Sequence, residues 1–159
     1  MKKEKNPAEP FLALSAILTG FEKVELLGTG LVEAYYNEVV SIVGKAYSDE
    51  LWKTTTQIIE HYQKDEAQLE AAVRRDILAS PLLGPIARNI IQMWYVGNWN
   101  ELPQSWQEIY GVSPNDTTRV ISSEAYEQGL VWDAIGAHPP AAKQPGFDSW
   151  HLPPKTKSL

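Results

Sequence analysis

The spacing of the apolar residues limits this chain more than any other feature. Leu31, Tyr35, Val39 and Ile42 recur at helical intervals and fall on one face of an α-helix. Gly44 is a natural stop after them. Ser48 is expected to cap the next helix, with Asp49 and Glu50 in its first turn, where the macrodipole favours anions. Leu51, Thr55, Ile58, Ile59 and Tyr62 make its apolar stripe. Leu69, Val73 and Ile77 carry a third helix as far as Ser80-Pro81. Pro85 suits the first turn of a fourth, whose wide apolar face of Ile86, Ile90, Ile91, Trp94 and Tyr95 runs to Gly97. Ser122 or Ser123 caps a fifth, over 124–135. Gly129 inside it costs about 1 kcal/mol against Ala, so a glycine there signals the close approach of another backbone. Between Asn98 and Arg119 the pattern breaks into turn residues, two tryptophans and at best one short helix over 103–110. No stretch alternates with period two and no segment repeats. The expected fold is all-α: about five helices, a long irregular segment and an extended C-terminal tail rich in proline and aromatics.

Composition narrows the function. With 159 residues and 43% hydrophobic content the chain suits one domain with its own core. The net charge is -6, and no Lys/Arg run supplies the basic face that nucleic-acid phosphates require. There are no cysteines, which excludes disulfides, thiolate chemistry and Cys-ligated zinc and leaves the compartment open. No apolar run approaches the roughly 20 residues that span a bilayer. Phe11 to Leu18 follows a basic start and mimics a short signal h-region, but Asn6, Pro7, Glu9 and Pro10 intervene and no clear small-residue cleavage site follows. Thr19-Gly20 and the run after it read as the first buried element. Arg74-Arg75 is a twin arginine in spelling only, set in a helical pattern. The expected layout is a flexible 1–9, a helical domain over 10–136 and a partner-binding tail over 137–159.

Each candidate site has a plainer reading. Gly28-Thr29-Gly30 lacks the third glycine and the preceding strand of a dinucleotide loop, so it reads as a helix stop and restart. His61, His138 and His151 show no metal-ligand spacing. Ser149, His138 and Asp133 could be assembled into a triad, yet no nucleophile elbow surrounds the serine. Asp65-Glu66 and Glu124 with Glu127 sit where helix starts and solvated faces put carboxylates. Trp94 reads as core, whereas Trp99, beyond the helix stop at Gly97, is expected to face out. Interface anchors favour Trp, Tyr and Arg, which makes Trp99, Trp106, Phe147 and Trp150 candidates.

The tail is the least ordinary part of the sequence. Prolines at 139, 140, 145, 153 and 154 block helix and central strand alike. Phe147 and Trp150 lie among them, and aromatics of that size are costly to leave in water. They must fold back on their own domain or dock on another chain, and proline stiffening lowers the entropy lost on docking.

The blocks FLALSAILTGFEKVELLGTG, IARNIIQMWYVGNW and VISSEAYEQGLVWDAIGAHPPAAKQPGFDSW resemble the small subunit of membrane-associated FAD-dependent sorbitol and related sugar dehydrogenases. The resemblance runs from about Phe11 to Pro154 and is most specific in the last block. It implies a non-catalytic chain with no cofactor and no metal of its own. Its partner would be a large FAD-containing flavoprotein of the glucose–methanol–choline oxidoreductase type, often with a cytochrome c subunit to take the electrons. The small subunit would wrap the flavoprotein and help it mature, in the periplasm or at the inner membrane if exported with it. Many members carry a twin-arginine signal, which this N-terminus lacks. Either the signal was removed or this member never had one; in the second case the partner carries its own, or the complex stays in the cytoplasm. Pro140 and Asp148 stand where smaller residues such as Gly are expected in relatives. The tail then reads as a strap: Pro139, Pro140 and Pro145 hold it extended, Gly146 allows a bend, and Phe147 and Trp150 anchor it, with His138, Trp99 and Trp106 as further contacts. Two other readings stand beside this one. The first is a stand-alone helical adaptor whose tail packs intramolecularly. The second is an enzyme in its own right, against which the missing cofactor loop, metal cluster and activated nucleophile all count.

Overall fold

A computed structural model describes residues 6–139. Its helices are α1 (Glu9–Thr19), α2 (Lys23–Gly28), α3 (Val32–Val43), α4 (Lys45–Tyr62), α5 (Glu66–Val73), α6 (Leu83–Val96), α7 (Gln104–Tyr110), α8 (Ser123–Glu127) and α9 (Leu130–Ala134). A π-helical turn, Arg74–Leu78, continues α5. Two short strands, β1 (Asn98–Trp99) and β2 (Arg119–Val120), pair antiparallel with Asn98 opposite Val120 and Trp99 opposite Arg119. The protein is therefore mostly helical, as the periodicity requires, with more helices than the five expected. None of the described helices is long and apolar enough to cross a membrane.

The extra helices have local causes. The run from Phe11 is helix α1, with Phe11, Leu12, Ala13, Leu14 and Ser15 buried and Gly20 closing it at φ 76. Packing begins inside the segment read as flexible: Ala8 is buried, and its N–H donates to Asn6 Oδ1 at 3.0 Å. α2 starts with a reciprocal cap between Glu22 and Glu25 and stops at Gly28, so the Gly28-Thr29-Gly30 run is the stop and restart that its spacing suggested. Ser48 is not a cap. α4 begins at Lys45, directly after Gly44, because φ 82 at that glycine turns the chain within one residue. The Ser48 hydroxyl instead donates back to Gly44 O at 2.8 Å. Asp65, at the foot of α5, does cap: its Oδ1 accepts from Gln68 N at 3.1 Å.

Gly129 divides the expected fifth helix into α8 and α9. A Cβ there would lie 2.7 Å from Tyr95 O, so α9 can settle on the end of α6 only where a side chain is missing. Gly97 is tighter still, with φ 71 and the Ala125 carbonyl 2.7 Å from where a Cβ would stand. These two glycines let α8 and α9 close over the C-terminal end of α6.

The core centres on aromatic side chains from four helices. Phe11 of α1 stacks on Trp94 of α6 at 6.2 Å and meets Trp52 of α4 edge-on at 5.7 Å. Tyr35 of α3 meets Trp94 edge-on at 4.8 Å. Burial pushes the Tyr35 phenol pKa far up, so it stays neutral. Among the described residues Ser15 Oγ, Tyr35 Oη, Trp52 Nε1 and Trp94 Nε1 are buried with no hydrogen-bond partner.

Candidate partner-binding surface

The irregular segment after α6 is held by one carboxylate. Asp116 is buried, and its Oδ1 accepts from Trp99 Nε1 at 2.8 Å and from Leu102 N at 3.1 Å. Its Oδ2 accepts from Gln107 Nε2 at 3.1 Å. Asn89 of α6 adds a second clamp: its Nδ2 donates to Asn100 O at 2.8 Å and its Oδ1 accepts from Asn100 N at 2.9 Å. On the far side Arg119 pairs with Glu38 of α3, and Asn115 Nδ2 donates to Ser41 O at 3.2 Å. A segment without periodicity is thus fixed by polar side chains reaching the backbone and one another.

This arrangement corrects two of the expected anchors. Trp99 does not face out; its exposure is 0%. Pairing of β1 with β2 turns the indole inward, where Asp116 satisfies its N–H. Trp106 is buried as well, its Nε1 donating to Leu82 O at 2.9 Å and its ring edge-on to Tyr47 at 5.8 Å. Both are structural tryptophans of this domain. Among the residues chosen from the tail, His138 is half-buried, its Nδ1 without a partner among the described residues, and Pro139 is buried. Pro145, Gly146, Phe147 and Trp150 lie outside the described residues.

The exposed large apolar side chains among the described residues are different ones. Val24 (72% exposed) and Leu27 stand out from α2, Ile109 and Val112 flank the end of α7, and Tyr126 and Ile135 lie on α8 and just after α9. Sequence reasoning missed them, because it credited large aromatics and passed over aliphatics that fall off the buried stripe. The signal was present: Val24 and Leu27 share a face of α2 opposite buried Leu26.

Two clefts lie on either side of Pro85, Arg88 and Pro103, which line both. One, of about 320 Å³, is bounded by Pro81, Trp106 and Ile109; the other, of about 410 Å³, by Gln92, Asn100 and Glu101. A third, of about 430 Å³, is lined by His61, Tyr62, Arg75 and Asp76. Arg75 donates to the adjacent Asp76 from Nε at 2.7 Å and from Nη2 at 2.6 Å. That bonding holds the Asp76 carboxyl below the usual carboxylate range. Glu124 is lowered too, by its own backbone N–H and by the Ser122 and Ser123 hydroxyls at the start of α8. Among the described residues no group of three or more His, Asp or Glu side chains could hold a metal ion.

Comparison with protein-family models, curated proteins and solved structures finds no match for this chain.

Proposed function

We propose that this chain is the non-catalytic small subunit of a sugar or sugar-alcohol dehydrogenase complex. It binds, stabilises and helps mature a large FAD-containing catalytic subunit. FAD and the sugar site belong to the partner, and a cytochrome c subunit can complete the complex. If the complex is exported, this chain works in the periplasm or at the inner membrane.

The observation that carries the reading is where the aromatics go. Trp52, Trp94, Trp99 and Trp106 are all buried within 6–139, in a core built by those residues. Phe147 and Trp150 come after that core and are set among prolines, the composition of a segment that docks extended. The sequence blocks that resemble sugar dehydrogenase small subunits end on the same segment. The competing reading, a stand-alone adaptor with its tail packed on itself, draws on burial of Pro139 against the domain.

Truncation tests the strap. Ala137 N–H still donates to Trp132 O at 2.8 Å, so the cut belongs after Pro139. The truncated chain is expected to keep its helical circular dichroism and to lose at least ten-fold in co-purification with the co-expressed flavoprotein. Undiminished co-purification would remove the strap from the account.

A further inference from the structure

The cleft between α7 and the start of α6 sets one fixed cation among apolar walls. Its volume is about 320 Å³, and Pro81, Pro85, Pro103, Trp106 and Ile109 line it. The Trp106 indole is held by its Nε1 bond to Leu82 O at 2.9 Å and lies 5.2 Å from the Tyr110 ring. Ile109 is 70% exposed. Among the lining residues only Arg88 carries a formal charge. Its Nη2 donates to Leu78 O at 2.9 Å, and Nε and Nη1 have no acceptor among the described residues. Gly84 makes room for that pose: a Cβ there would lie 2.5 Å from Leu78 O and 3.0 Å from Arg88 Nη1. Arg88 takes part in none of the ion pairs among the described residues. Glu101, which lines the neighbouring cleft, accepts instead from Gln107 Nε2 at 3.2 Å.

We infer that this cleft binds a small apolar carboxylate, such as an arene carboxylate, with its charged end on Arg88 and its apolar body against the prolines and Ile109. Charge selects the anion: the single formal charge of the lining is positive, in a protein whose net charge is -6. Geometry selects the carboxylate, because the planar guanidinium fork matches two carboxylate oxygens. Leu78 O and the space at Gly84 order that fork before a ligand arrives, so less entropy is lost on binding. The Ser80 hydroxyl accepts from Leu83 N at 3.1 Å and keeps its own O–H to donate. The first turn of α6, which contains Pro85, adds the positive end of a helix dipole. The walls select an apolar body, since small-ligand pockets pair apolar linings with a few placed polar groups. A multiply charged anion such as phosphate is disfavoured, because one cation among prolines cannot replace its hydration. This site goes beyond the assignment of a partner and stands whether or not that assignment holds.

Titration of the full-length chain with naphthoate, followed by amide NMR, tests the site. Naphthoate is expected to shift the amides of Arg88, Ser105 and Ile109. It is expected to bind at least ten-fold more tightly than naphthalenemethanol, which lacks the charge, and than acetate, which lacks the apolar body. Arg88→Gln is expected to bring naphthoate down to the level of the neutral analogue. Ile109→Glu sets a like charge beside the carboxylate and is expected to weaken naphthoate at least ten-fold. Ile109 is exposed, so unchanged helical circular dichroism serves as its folding control and keeps the test decisive even if Arg88→Gln fails to fold. Equal binding of naphthoate and its neutral analogue would overturn the proposal, as would no binding or wild-type affinity in either folded variant. Acetate bound as tightly as naphthoate would overturn it too, since the site would then be an exposed arginine only. No flavoprotein is present, so failure here is separate from failure of the partner reading.

Discussion

Trp94→Ala is expected to destabilise the protein by about 3–5 kcal/mol, the largest effect of any single core truncation here. Trp94 sits where α1, α3 and α6 meet: Phe11 stacks on one face at 6.2 Å and Tyr35 presents its edge at 4.8 Å. Removing the indole leaves a cavity bounded by side chains from α1, α3 and α6 that are themselves packed and cannot collapse into it. Trp94→Phe separates packing from polarity. It keeps a ring for Phe11 and Tyr35 and deletes an N–H that has no partner among the described residues, so no hydrogen bond is lost. Its cost is expected to be less than half that of the alanine variant. Urea unfolding followed by circular dichroism gives both values. A Phe variant as unstable as the Ala variant would mean that the indole N–H is paired after all.

Asp116→Ala is expected to cost about 2–4 kcal/mol, far more than an ordinary loop substitution. Its carboxylate accepts from Trp99 Nε1, Leu102 N and Gln107 Nε2 at 2.8–3.1 Å. Alanine leaves the first two donors buried without a partner, and each carries a desolvation penalty of about 1–3 kcal/mol. Asp116→Asn keeps an acceptor for Trp99 and Leu102 but turns its amide NH2 toward Gln107 Nε2, which loses that acceptor and keeps Leu102 O at 3.1 Å. It is therefore expected to retain most of the stability. Trp99 fluorescence should shift to the red in the alanine variant, as the indole loses its buried site, and stay nearly unmoved in the asparagine variant. An alanine variant as stable as the wild type would show that the 98–119 segment is held by its other contacts.

Asp116 also marks the limit of what the sequence makes legible. The long helices could be read because each buries a stripe that repeats every three or four residues, as Leu31, Tyr35, Val39 and Ile42 do. Gly129 could be read because glycine in a helical pattern is costly unless a backbone lies against it, and Tyr95 O does. Trp99 could not. Its orientation depends on a carboxylate 17 residues later and on a strand pair two residues long, and neither leaves a periodic trace. Ser48 misled for a related reason. A serine ahead of two acids is a good cap sequence, but the positive φ of Gly44 starts the helix one turn earlier. The cleft beside Pro85 was likewise illegible, since Pro85, Pro103 and Ile109 line it from separate parts of the chain. The tail is the reverse case. Its prolines and large aromatics raise an expectation of docking and specify no surface for it.

The most direct test of the central claim is to express a large FAD-containing flavoprotein of the glucose–methanol–choline type with and without this chain. Flavin absorbance and dye-linked oxidation of a panel of polyols and sugars are then measured on the purified material. The account predicts that bound flavin and activity appear only when this chain is present, and that the two proteins purify together. A flavoprotein that loads FAD and turns over unaided, with nothing bound to it, would contradict the account and leave the stand-alone helical domain in its place.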